Sequence, residues 1–151
     1  MEKLILNAIA DFNKLLSCLE KGEESNVGGS FRARCRELPN LMESVGFIPA
    51  LSFCYAKATK KVYESIKNSM ESRGGKINDN DHTKKGYGLF LYLVLNRLKN
   101  LKLIEADLTD PGSVLEELAD GKEGIASKII RPYIIQLKNL SEAVFRVEEE
   151  R

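Results

Sequence analysis

The stretch YGLFLYLVLNRLKNL, residues 87–101, carries apolar side chains on nearly every face of a helix: Leu89, Phe90, Leu91, Tyr92, Leu93, Val94, Leu95 and Leu98. A helix that is apolar all round belongs in the middle of a bundle, so this segment predicts a central helix with others wrapped about it. The segments on either side are amphipathic with helical period. Ile5, Ala8, Phe12, Leu15, Leu16 and Leu19 recur at spacings of three and four. Leu51, Tyr55, Ala58, Val62, Ile66 and Met70 form a second stripe, over about six turns or ~35 Å of helix. Ile125, Ile129, Tyr133, Leu137, Leu140 and Val144 form a third.

Punctuation between these stripes sets the order. Another helix runs from about Ser30 to Val45, kinked where Pro39 removes a backbone donor. Gly46 stops it, and Pro49 suits the first turn of its successor. Asp110 followed by Pro111 opens a short helix that ends near Gly121. Asp120 with Glu123 has capping-box spacing at the start of the last helix, which is bent at Pro132. The polar, glycine-bearing stretches 21–29 and 72–83 read as flexible loops. No segment alternates with period two. The expectation is an all-α chain of 151 residues, one domain, a compact bundle of five or six helices.

Composition excludes several classes. The longest uninterrupted apolar run, Leu89 to Leu95, is too short to span a bilayer. Asp11 and Asn13 interrupt the first apolar helix, so it is no signal peptide. Cys18, Cys35 and Cys54 are odd in number and form no C-x-x-C pair, which fits buried thiols in a reducing cytoplasm. Catalysis finds little purchase: His82 is the one histidine, in a loop beside Asp79 and Asp81. Asp79, Asp81 and Thr83 mimic the start of a calcium loop, but Lys84 stands where the glycine is needed and Phe90 where the closing glutamate is needed. The reading is therefore a non-enzyme without metal or cofactor.

Charge points elsewhere. Residues 30–61 hold six Lys/Arg against two Glu in a chain whose total is +1. The middle, residues 30–105, stands at +7 between ends totalling −6. One basic face and one acidic or neutral face follow from that layout. Arg32, Arg34, Arg36, Lys57, Lys60 and Lys61 are the candidate phosphate contacts, since Arg forks match phosphate oxygens and Arg32 and Arg36 lie one turn apart. Lys84, Lys85, Arg97, Lys99 and Lys102 would extend the strip. Nothing in the pattern reads sequence, so contact is with the nucleic-acid backbone. A solvated surface balancing the acidic ends gives the same composition. So does a helical protein–protein adaptor or self-associating domain that never meets RNA.

The segment F-R-x-R-x-R-x-L-P-x-L-M-x-x-x-G-F-I-P-A-L-S-F, Phe31 to Phe53, resembles the small helical subunit of the type III-B CRISPR effector, the Cmr RNA-silencing complex. Basic positions precede Leu38–Pro39, and the Gly46 turn leads into a helix that ends near Lys57. The resemblance implies a non-catalytic subunit for antiviral defence. It implies partners of three kinds: other subunits of the complex, copies of itself stacked head to tail, and the backbone of guide and target RNA. Head-to-tail stacking requires two unlike, complementary patches on each copy.

Overall fold

A computed structural model describes residues 2–19, 23–72 and 81–147, and among these every regular element is a helix. Seven follow in order: α1 (Glu2–Cys18), α2 (Glu23–Val45), α3 (Phe47–Ala58), α4 (Lys60–Glu71), α5 (His82–Asn100), α6 (Pro111–Ala119) and α7 (Glu123–Val144). The all-α class is as expected, with one or two helices more than the spacing predicts.

α5 is the axis. Every residue from Lys85 to Leu95 is buried, and so is Leu98. It packs on α2, α3 and α4, while α1 lies along α7 and α6 covers α3. Two glycines let this helix approach its neighbours. A Cβ at Gly86 would fall 2.0 Å from Ser30 Oγ and 2.8 Å from the Ser30 carbonyl carbon. One at Gly88 would fall 2.4 Å from Ile66 Cδ1. Small residues at these crossings set the distance between α5 and the helices around it.

The extra helix arises at Thr59. The six-turn rod expected over the Leu51–Met70 stripe is two twelve-residue helices, because Thr59 takes φ 72° and ψ 155°. No glycine or proline announces the break. The stripe survives it: Leu51, Ala58, Val62, Ile66 and Met70 are all buried, with Tyr55 partly so.

Residues 23–29, expected as loop, are helical and begin α2 seven residues early. One of their glycines, Gly28, serves contact rather than flexibility. Gly28 leaves room for Phe145, whose ring would stand 2.2 Å from a Cβ there. That ring closes a cluster with Phe12 and Phe31, at centroid distances of 5.4 and 6.4 Å. His82 and Thr83 likewise belong to α5, with Asp81 as its N-cap accepting from the Lys84 amide at 3.0 Å. The rest of the two predicted loops, 21–22 and 73–80, lies outside the described residues, as do Asp79 and the acidic Glu148–Glu150 end.

Two further expectations need correction. α7 buries Ala126, Ile130, Tyr133, Ile134, Leu137 and Ser141, while Ile125 is 61% exposed and Ile129 and Val144 also face solvent. Doubled isoleucines at 129–130 and 134–135 allow two neighbouring stripes. The one that wins aims the Tyr133 hydroxyl at Asp11, 2.7 Å away. Asp120 does not cap α7: the N-cap is Lys122, whose side chain makes no capping bond. Glu123 instead accepts from the Ile48 amide at 2.8 Å and so caps α3, one of whose first-turn donors would otherwise be orphaned. Asp110 and Pro111 open α6 as expected, with Asp110 accepting from the Gly112 amide and the Ser113 hydroxyl.

Candidate nucleic-acid interface

The three arginines of α2 divide among three roles. Successive alternate positions on a helix are about 200° apart, so Arg32, Arg34 and Arg36 cannot all face one way. Arg32 is half-buried and donates to the carbonyls of Glu142 (3.3 Å) and Phe145 (2.9 Å). It closes the end of α7, where carbonyls lack intrahelical partners. Arg34 is only 7% exposed: its guanidinium lies 4.4 Å over the Tyr87 ring and 3.5 Å from Glu37. Arg36 alone projects into water, its side chain 68% exposed and 3.7 Å from Glu142. The shared water-facing side expected for α2 arginines and downstream lysines does not form. Packing takes two of the three.

The lysines behave differently. Lys57, in the last turn of α3, and Lys60 and Lys61, in the first turn of α4, are all exposed. Lys57 and Lys61 make no ion pair among the described residues, and Lys60 stands 4.0 Å from Glu64, a loose surface contact of little energetic weight. The Thr59 break gathers these three cations within five residues of chain. No carboxylate stands in the first turn of α4, so its amide dipoles add positive potential there.

The further strip does not extend the patch. Lys85 is buried. Arg97 forks onto Asp11 at 2.8 and 2.9 Å, and Lys99 donates to the Ala106 carbonyl at 3.2 Å. Lys84 is half-buried at the start of α5, leaving Lys102 exposed.

One residue on this edge escaped the periodicity reading. Phe53 is 36% exposed and meets Tyr87 edge to face at 5.8 Å, with Lys57 Nζ 5.5 Å from its own ring centroid. Tyr87 is fixed in turn by its hydroxyl donating to Glu37 at 3.1 Å. Burial pushes that phenol up to about 12, with Arg34 opposing and Glu37 adding to the rise. Lys57, Phe53, Tyr87, Arg34 and Glu37 thus form a ladder across α3, α5 and α2: two packed rings with a cation at either end, and a carboxylate on the inner one. The signal was present in sequence: Phe53 lies off the Leu51–Tyr55–Ala58 stripe and four residues before Lys57, the spacing at which helical side chains meet.

Both cysteines near this ladder are inert. Burial drives the Cys35 and Cys54 thiols far up, out of reach of the thiolate at neutral pH.

The described residues fold as helices, with three exposed lysines at one helical break, and the family model that matches the chain is that of a CRISPR-associated protein. The chain belongs to the Cas_Cmr5 family, whose model matches residues 9–94, more than half of the chain and all of the Phe31–Phe53 segment. No curated protein matches it significantly. Among solved structures it is similar to a chain in the type III-B Cmr-beta assembly bound to cognate target RNA and AMPPnP. That likeness has 24% identity and a TM-score of 0.82, over 97% of this chain and 99% of the other. It is also similar to a chain of the Cmr-beta complex bound to non-cognate target RNA, at 23% identity and a TM-score of 0.79, over 93% and 95%. These two likenesses establish the fold.

Proposed function

We propose that this chain is a non-catalytic subunit of a type III-B CRISPR effector that meets the RNA backbone through Lys57, Lys60 and Lys61, with Arg36 as an outlying cation. The observation that carries this reading is the end-to-end fold match, within the family, to chains of a Cmr assembly that holds target RNA. The exposed lysine cluster supplies the chemistry: three ammonium groups with little internal pairing on an otherwise near-neutral protein. Arg32 and Arg34 support the fold of that edge rather than contacting phosphate.

The subunit stacks in several copies. Its outward apolar residues support this, with Ile125, Ile129 and Ile135 on α7 and Leu6 and Ile9 on α1 offering surfaces that water does not favour. The same residues equally support an adaptor that binds protein and no RNA. Substituting glutamate at Lys57, Lys60 and Lys61 tests the choice. Retention of RNA by the assembled complex should fall while helicity and assembly are kept. Undiminished retention, with assembly intact, favours the adaptor.

A further inference from the structure

We propose that Phe53 is a stacking platform for an unpaired nucleobase, set in the same edge as the phosphate-binding lysines. The inference rests on the RNA-contact reading above and deepens it: the ligand is single-stranded RNA held by one base and the phosphates beside it. Three observations carry it. First, the ring is 36% exposed on an edge that holds Lys57, although its own helix buries Phe47 and Leu51. Second, the ring is held in place. Tyr87 abuts it at an interplanar angle of 80°, and Tyr87 is clamped between the Arg34 guanidinium at 4.4 Å and the Glu37 carboxylate at 3.1 Å. A fixed ring loses little freedom when a flat ligand settles on it. Third, what lies by the ring is an exposed ammonium at 5.5 Å, a weak and displaceable contact. An arriving base takes the ring face, and Lys57 moves to the adjoining phosphate. An apolar protein segment would have to cover Lys57 and leave its charge without a counter-ion, which the phosphate supplies. Stacking of this kind tolerates any base, because every base presents a π-face.

The chain has no tryptophan, so Phe53→Trp installs a single reporter in the full-length protein. The probes are a 20-nucleotide oligouridylate and inorganic polyphosphate of matching charge, which carries phosphates without bases. Emission of Phe53→Trp should be quenched by oligouridylate and not by polyphosphate. Phe53→Leu, which keeps an apolar edge against Tyr87, should weaken oligouridylate binding by at least about fivefold and leave polyphosphate binding unchanged. Unquenched emission at saturating oligouridylate, with wild-type affinity in Phe53→Leu, overturns the platform while lysine contact with phosphate stands. Failure of the wild-type chain to bind either polyanion overturns both readings. A spectral shift of Phe53→Trp on assembly with the other subunits before RNA is added places protein on the ring and also overturns the proposal.

Discussion

Asp11 joins three helices through one carboxylate. From α1 it accepts from Arg97 of α5, through Nη2 at 2.8 and 2.9 Å and Nε at 3.3 Å, and from the hydroxyl of Tyr133 on α7 at 2.7 Å. Burial raises the Tyr133 phenol well above its ordinary range, with the Asp11 charge adding to the rise, so it remains a donor at any working pH. Side chains of Asp11 and Arg97 are 14% and 12% exposed, so removing one partner strands the other in a poor solvent for charge. Asp11→Ala should cost about 3–5 kcal/mol, a fall in melting temperature of roughly 6–20 °C, measured by thermal or urea unfolding. Asp11→Leu combined with Arg97→Met should recover part of that loss, because no charge is then stranded although the buried Tyr133 hydroxyl loses its acceptor. Glu117 makes a smaller clamp at the surface. It pairs with Lys122 and accepts from the amides of Glu105 and Ala106 at 2.8–3.0 Å, fixing the loop before α6. The Lys122 bond holds its carboxyl below the ordinary value of 4.5 against the opposing effect of burial, with the two amides adding to the fall. A depressed carboxyl contributes stability that is complete above its unfolded value and lost as pH falls through the folded one. The urea midpoint should therefore drop between pH 5 and 3, and Glu117→Gln should shrink that drop while lowering the midpoint at pH 7.

Helices meet here at distances set by what is missing from them. Gly86→Ala places a methyl against both the hydroxyl and the backbone of Ser30, so α2 and α5 must separate. Overpacking of this kind costs about 1–3 kcal/mol. Adding Ser30→Ala removes the hydroxyl clash but not the backbone one, so the double variant should recover only part of the lost urea midpoint. Thr59 is the opposite case, a β-branched residue where the backbone favours glycine. Thr59→Gly should raise stability by about 1 kcal/mol, relief of strain outweighing the added freedom of the unfolded chain. These positions also mark where the sequence could and could not be read. α5 was legible because Leu89–Leu95 admits no polar face, and α6 because Asp110–Pro111 is a local signal. The start of α2 was not, because Gly28 reads as a loop glycine until Phe145, 117 positions away, comes to rest on it. The α7 register failed because Ile129 and Ile130, like Ile134 and Ile135, are equally apolar, and both stripes share Tyr133 and Leu137. At the candidate interface the exposure of the lysines was legible, since they lie off the Leu51–Met70 stripe, although the break at Thr59 that gathers them was not. The arginines were not: whether a guanidinium meets water, a ring or a carbonyl depends on Tyr87 and on the end of α7, which spacing along α2 cannot show.

Taken whole, the molecule carries +1 with its cations in the middle of the chain and its acids toward the ends. Several of the inner cations are engaged: Arg97 on Asp11, Arg34 on Tyr87 and Glu37, Arg32 on two carbonyls, Lys99 on a third. A polyanion therefore meets a local group rather than the summed field of the protein, and the salt dependence of binding should count that group. Three phosphates neutralised on a single strand give a log–log slope of about −2 for oligouridylate. Replacing Lys57, Lys60 and Lys61 by glutamine should flatten the line toward zero, whereas Arg36→Gln should change the slope by less than one. Base stacking releases no counter-ions, so Phe53→Leu should lower the whole line without tilting it. Fluorescence titration of the full chain at four or more salt concentrations separates these movements. A wild-type slope steeper than about −4 means that cations beyond this edge touch phosphate, and a tilt caused by Phe53→Leu means that the ring acts by positioning Lys57 rather than by holding a base.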